Sequence, residues 1–283
     1  MRLHNKGVAA GLAAAMSTAA VGMLAATSPV VASAAAPPKV VTVTLGGGKI
    51  ALGSTSIPAG NVVFAVKSTK GDHTMQVLQL HAGYSQNQAQ HDINAAFGGN
   101  KAAIKRVDTK IDWLGGDDAT PQKPSQFSTH LAAGSYMVVD QESNASKAFT
   151  VVSAPAAYKT LFPNVYVTTK DNVFHTHTSL ALPHSGWVKM HNNAQEPHMF
   201  VLQHVKQSTT KQDVRDYIAS GSQKPPSWGL GDSMDAGVVS PGMTQVFSYK
   251  MPAGKYLIAC FWPSIDTGMP HFAMGMWKLV QLS

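Results

Sequence analysis

Apolar and polar residues alternate in short runs along most of the chain. Between Asn61 and Val66, the apolar positions Val62, Phe64 and Val66 fall on one face. From Val246 to Met251, Phe247, Tyr249 and Met251 do the same, and further on Tyr256, Ile258 and Cys260 share a face. A period of two marks a strand, because successive side chains point to opposite sides of a sheet. Turn signals punctuate these runs at Pro58-Ala59-Gly60, Ala133-Gly134, Pro241-Gly242 and Ala253-Gly254. Two stretches read differently. Thr210-x-x-Asp213 has the form of a capping box ahead of Val214, Tyr217 and Ile218, and Ser85-x-x-Gln88 precedes a similar stretch reaching Phe97. The pattern predicts short strands at regular spacing, with one helix inserted in each half of the chain.

The pattern is also written twice. Leu131-Ala-Ala-Gly-Ser-Tyr136-Met-Val-Val-Asp140 reads against Met251-Pro-Ala-Gly-Lys-Tyr256-Leu-Ile-Ala-Cys260. Upstream, Val77-Leu78-Gln79 matches Val201-Leu202-Gln203, and Trp113-Leu-Gly-Gly matches Trp228-Gly-Leu-Gly. The Ala-, Pro- and Lys-containing stretch from Ala154 to Pro163 reads as a linker. The expected fold is therefore all-β, with two tandem Greek-key β-sandwich domains over 35–153 and 154–283, each with a short inserted helix.

The first 34 residues stand apart. Arg2 and Lys6 open the chain, an uncharged Ala-rich run follows from Gly7 to Pro38, and Ala32-Ser33-Ala34 fits the small-x-small rule for cleavage. Residues 1–34 read as a cleavable signal peptide, which implies export and no stable membrane insertion after cleavage. Lys and Arg total 22 against 15 Asp and Glu, a formal excess of +7, yet charged residues make up only 13% of the chain. With no Lys/Arg cluster, that excess gives no ground for a nucleic-acid partner. The single cysteine, Cys260, excludes an internal disulfide framework and any zinc site built from several thiolates.

That cysteine stands among 12 His and 13 Met residues, which changes its meaning. A blue-copper site needs two imidazole nitrogens, one thiolate and a weak axial thioether. The second half offers one candidate for each part. Pro197-His198 precedes the strand-like Met199-Phe-Val-Leu202, Cys260 closes Tyr256-Leu-Ile-Ala, and His271-Phe-Ala-Met-Gly-Met276 follows. Met274 competes with Met276 for the axial position. Asp140 stands at the Cys260 position of the first half, and the first half's match for His198, His73, is displaced by one residue in the Val-Leu-Gln alignment.

In this order of ligand types the chain resembles the cupredoxins, the blue type 1 copper family of plastocyanin- and azurin-like proteins. Pro252-Ala-Gly-Lys-Tyr256 resembles the family's hairpin ahead of Cys, and Asn192-Asn193-Ala-Gln-Glu-Pro197-His198 resembles its Asn-rich turn before the first His. Ser240-Pro-Gly-Met-Thr244 is similar to the turn before the hairpin. The likeness spans most of residues 165–283. It implies His198, Cys260, His271 and Met276 as ligands to one type 1 copper per chain. It also implies one-electron transfer to an unidentified redox partner protein, with the His271 edge as the electron port. The first half is then a degenerate cupredoxin-like domain.

The ten residues between Cys260 and His271 depart from small plastocyanin-like proteins, and Phe261-Trp-Pro-Ser-Ile265 is expected to cover the metal with apolar bulk. Other readings stand beside this one. Non-redox copper binding or storage and a cell-surface binding module need the same ligands or none. A copper-dependent oxidoreductase needs a second copper wired through His beside Cys, whereas Ala259 and Phe261 flank Cys260. His175 and His177 would share a strand face and are a candidate for an extra metal, and Met234, Met243, Met251, Met269 and Met274 for a soft Cu(I) uptake surface.

Overall fold

The alternating runs become strands because each has one face to bury. A computed structural model describes residues 37–153, 161, 163–170, 172–176, 181–222 and 224–283. Residues 1–36, which include the expected signal peptide, lie outside the described residues, as do most of the expected linker stretch and His177. In the first half the strands are β1 (Lys39–Gly46), β2 (Lys49–Leu52), β3 (Ser56–Pro58), β4 (Gly60–Ser68) and β5 (His73–Leu80). Helices α1 (Gln86–Phe97) and α2 (Lys101–Lys110) follow, then β6 (Ile111–Ala119), β7 (Ser125–Leu131), β8 (Gly134–Asp140) and β9 (Ser146–Val152). The second half holds β10 (Val165–Lys170), β11 (Val173–Thr176), β12 (Ala181–Leu182), β13 (Ser185–Asn192) and β14 (His198–Val205). It continues with α3 (Lys211–Ser220), β15 (Gly229–Val239), β16 (Thr244–Lys250), β17 (Gly254–Ala259) and β18 (Trp277–Leu282).

These strands form two sheets, as the all-β reading requires. One has eight strands in the order β11-β10-β13-β16-β7-β4-β1-β2. The other has ten, in the order β12-β18-β17-β14-β15-β6-β5-β8-β9-β3. Each order reads the same from either end once β1 is matched with β10, β2 with β11, and so on to β9 with β18. The sheets face each other across one core. Phe64 of β4 meets Phe149 of β9 at 6.1 Å, and Phe200 of β14 meets Phe247 of β16 at 5.3 Å. Val62, Phe64, Val66, Phe247, Tyr249 and Met251 are all buried, so the predicted inward faces hold. Burying each such side chain contributes about 1.5–3 kcal/mol.

Both sheets run unbroken from one half into the other. β16 pairs with β7 over Gln245 to Phe247, and β15 meets β6 where Val239 lies opposite Leu114. Side chains stitch this seam. Gln76 accepts the Val238 N–H at 3.1 Å, Gln245 accepts the Gly116 N–H at 3.0 Å, and Ser240 Oγ accepts the Trp113 N–H at 2.9 Å. Glycine is required here: a Cβ on Gly237, whose φ is +73°, would lie 2.7 Å from the Gly116 backbone and 2.4 Å from the Gln76 amide.

Both predicted capping boxes form, Ser85 with Gln88 on α1 and Thr210 with Asp213 on α3. The expectation of one helix per half fails in the first half, where α2 follows α1. Asn100 caps it, and Ala103, Ile104 and Val107 bury one face. Gly98 and Gly99 separate the two helices, so the stretch reads as a loop unless the weaker spacing after them is counted. In the second half α3 covers β17 from outside: Val214 packs with Leu257, Ala259 and Phe272, so β17 is buried on both faces.

Candidate metal centre

His198, Cys260 and His271 converge as predicted. Each is fully buried, and their donor atoms all lie within 4.8 Å of one another. Cys260 Sγ is 3.6 Å from His198 Nδ1 and 3.5 Å from His271 Nδ1, and the two Nδ1 atoms are 3.0 Å apart.

Local structure places each donor. His198 opens β14 after a turn built on Asn192, which is fully buried. The Asn192 amide donates to the Glu196 and Val239 carbonyls at 2.9 Å each, and its Oδ1 accepts from Ala194 N–H and Thr169 Oγ1. Cys260 follows the last residue of β17, where the strand's inward face meets the core. Beyond it the chain folds back on itself. Phe272 N–H donates to the Cys260 carbonyl, Cys260 N–H to the Met276 carbonyl, and Met276 N–H to the His271 carbonyl. This knot ties the thiol, the second imidazole and Met276 into one unit. Met276 is fully buried, whereas Met274 is 37% exposed and its Sδ accepts from Thr267 Oγ1 at 3.4 Å.

The donor set of two imidazoles and one thiol suits a first-row metal ion. Burial pushes the Cys260 thiol up to about 12, only partly opposed by the Met199 and Trp262 N–H groups. Burial, then the neighbouring His271 ring, pushes His198 down to about 3. The site thus disfavours both a free thiolate and a charged His198, while turning two imidazole nitrogens and a sulfur toward one point. His198 Nε2 has no hydrogen-bond partner among the described residues. A first-row ion bonded at about 2.0 Å to nitrogen and about 2.3 Å to sulfur can span these gaps. It would supply the positive charge that stabilises the thiolate.

The His271 edge corrects the electron-port expectation. His271 Nε2 is bonded to Glu196 Oε2 rather than facing solvent. The other Glu196 oxygen accepts the Ile265 N–H at 3.0 Å and Ser264 Oγ at 3.3 Å. Burial raises the Glu196 pKa, but the His271 contact and these bonds outweigh it, leaving the carboxyl below its usual 4.5. No feature of the sequence marked Glu196, since its contacts come from a loop about 70 residues downstream.

In the long loop, Phe261 is 38% exposed, and Trp262 is fully buried in a socket in the first half. Its ring meets Trp113 at 5.2 Å and Phe97 at 5.6 Å, both edge-on, and its N–H donates to Asp108 Oδ1 at 3.1 Å. Burial raises the Asp108 pKa to about 7, against the Trp262 bond and with help from the Glu196 charge.

The first half holds a hydrogen-bonded His–Asp pair at the matching position. Met75 lies opposite Asp140. The β14–β17 ladder, with Val201 opposite Ala259, puts Phe200 opposite Cys260. His73 and His198 each stand two residues before those positions, so the one-residue displacement in the Val-Leu-Gln alignment disappears. The ladder hydrogen bonds between these strands, not the match of the Val-Leu-Gln letters, fix which residues face one another. His73 Nδ1 lies 2.8 Å from Asp140 Oδ2, and its Nε2 lies 2.9 Å from the Lys70 carbonyl. The Trp113 and Trp228 match fails in the same frame: Trp113 lies opposite Leu78 within β6, and Trp228 precedes β15 to pack on Tyr217.

Other candidate histidines and methionines among the described residues sit in strands, the core or the loop surface. His175 is exposed on the edge strand β11. His191 contacts Thr244 Oγ1 at 2.6 Å, and His204 stacks on Tyr256 at 4.5 Å. Met234 and Met251 are core residues, while Met269 and Met274 are exposed on the ligand loop.

No protein-family model matches the chain, and no curated protein matches it. Solved structures do. Auracyanin from the photosynthetic bacterium Roseiflexus castenholzii aligns at 14% identity over 42% of this chain and 94% of its own, with a TM-score of 0.27. Auracyanin A, a "blue" copper protein from Chloroflexus aurantiacus, aligns at 16% over 41% and 99%, with a TM-score of 0.30. Copper nitrite reductase from Nitrosomonas europaea aligns at 10% over 89% and 85%, with a TM-score of 0.23.

Proposed function

We propose that the protein is an exported one-electron carrier holding one type 1 copper in its second half. His198 Nδ1, His271 Nδ1 and Cys260 Sγ would hold the metal, with the Met276 thioether as the weak axial donor. The observation that carries this reading is the convergence of two imidazole nitrogens and one thiol in a fully buried pocket. Two His, one Cys and a weak thioether suit blue copper, because imidazole accommodates both oxidation states and sulfur favours Cu(I). The burial of Met276 and the exposure of Met274 support Met276 as axial donor. Copper supplies the one-electron redox couple when bound. The protein's own residues keep water out of the pocket, hold both rings and fix the sulfur through the Met199 N–H, 3.4 Å away.

In this reading the two halves are copies of one cupredoxin-like unit, and the first keeps the frame without the metal. Residues 1–34 direct export, and the partner is a redox protein or membrane oxidase. The closed His271 edge also favours a second reading, in which copper is held without exchange of electrons with a partner.

Cu(II) titration of the purified protein tests the assignment. One equivalent is expected to bind and to produce an intense thiolate-to-copper visible band. Cys260→Ser removes the band, while Asp140→Ser and Met274→Leu keep it. A colourless protein that takes up no stoichiometric copper refutes the reading. Reduction and reoxidation of the band by an added redox protein separates the carrier from the storage reading.

A further inference from the structure

We propose that Glu196 is a positioning residue for the metal centre, holding His271 in the tautomer that presents Nδ1 to Cys260 and His198 while sealing the other edge of the ring. The proposal rests on the copper reading above and extends it to a residue outside the ligand set.

A neutral imidazole carries one proton. If Nε2 carries it and donates to a carboxylate, the lone pair is left on Nδ1. His271 has this arrangement, with Nε2 on Glu196 Oε2 and Nδ1 3.5 Å from Cys260 Sγ. The carboxylate is itself held. Its second oxygen accepts from the Ile265 backbone at 3.0 Å and Ser264 Oγ at 3.3 Å, so it cannot swing away without releasing the ligand loop. Its backbone is fixed too, because the Glu196 carbonyl accepts from the buried Asn192 amide at 2.9 Å. Glu196 stands two residues before His198, so one side chain joins the turn that carries the first imidazole to the loop that carries the second. The Glu196 side chain is 16% exposed and that of His271 is 0% exposed, which leaves the contact shielded from competing water. Such outer partners of a ligating His are worth about 10- to 100-fold in metal affinity.

The test compares the full chain with Glu196→Ala and Glu196→Gln. Cu(II) affinity is measured by chelator competition. The His271 tautomer and the exchange rate of its Nε2 proton are read by nitrogen-15 NMR of the metal-free protein. The wild type is expected to show the proton on Nε2 with slow exchange. Glu196→Ala, with an unchanged circular dichroism spectrum, is expected to bind Cu(II) about 10- to 100-fold more weakly. Glu196→Gln keeps an acceptor oxygen and is expected to restore most of the affinity, with faster Nε2 exchange. Wild-type affinity in a folded Glu196→Ala overturns the proposal and leaves the copper reading standing. A wild-type His271 protonated on Nδ1 does the same. If Glu196→Ala does not fold, unchanged Nε2 exchange in Glu196→Gln overturns it. A wild type that binds no Cu(II) overturns the copper reading, and this proposal with it.

Discussion

His73 and Asp140 show how one substitution changes what a buried position needs. Where the second half has a thiol, the first has a carboxylate, and a lone buried carboxylate is costly without a partner. His73 supplies it, with both ring nitrogens placed to donate, to Asp140 and to the Lys70 carbonyl. Burial works against the charged ring, but Asp140, Lys70 and the nearby Glu142 outweigh it and hold His73 above its usual 6.5. Burial likewise disfavours the Asp140 anion, yet Ser143 and His73 hold its pKa below 3.8. The raised His73 contributes stability fully below pH 6.5 and loses it as pH rises through its folded value. The lowered Asp140 contributes above pH 3.8 and loses it as pH falls through its own. The pair is thus strongest between those limits. Asp140→Asn keeps an acceptor for His73 but removes the charge, and is expected to lower stability most between pH 3.8 and 6.5. The cost should shrink as pH rises through the folded value of His73. Melting temperatures of both proteins from pH 5 to 9 check this, and a difference that does not change with pH would contradict the assigned charge.

The loop from Phe261 to Pro270 is held both from within and from outside. Within it, Ser264 N–H donates to the Met269 carbonyl at 2.9 Å and Gly268 N–H to the Ser264 carbonyl at 2.8 Å. Trp262 supplies the anchor by entering a socket made by Phe97 of α1, Trp113 of β6 and Asp108 of α2. The Trp262 carbonyl also accepts the His271 N–H at 2.9 Å, so the anchor connects directly to the proposed metal centre. Truncation of a fully buried Trp costs about 3–5 kcal/mol. Trp262→Ala should therefore lower thermal stability and release the loop, seen as proteolytic nicking between Phe261 and Pro270. Trp262→Phe keeps most of the packing but loses the bond to Asp108, and should fall between. Equal protease resistance in all three proteins would show that the socket does not hold the loop.

The two halves depend on each other through both sheets. Cutting the chain after the first half would expose β15 and β16 as unpaired edges, along with the buried amides of Gln76 and Gln245 that now bridge the seam. Exposed edges of this kind recruit other strands. A fragment of residues 161–283 should aggregate or stay unfolded and lose copper binding, although it contains all four proposed ligands. Size-exclusion chromatography and Cu(II) titration of the fragment check this. A monomeric, blue fragment would make the first half dispensable.

Much of this was legible along the chain, and the reason is local. Strand faces at Val62, Phe64 and Val66 and the capping boxes at Ser85 and Thr210 depend on periods and offsets of a few residues. The convergence of His198, Cys260 and His271 was legible because two imidazoles and a lone thiol are chemically distinctive and two of the three sit in one short segment. Helix α2 escaped because the Gly98-Gly99 break hides its start. Three features were decided only by folding: Glu196 against His271, Trp262 in its socket, and His73 against Asp140. Each joins residues that are remote in sequence or that depend on hydrogen-bond register across strands. No period or spacing encodes those contacts, since they come into being only when two sheets close around one core.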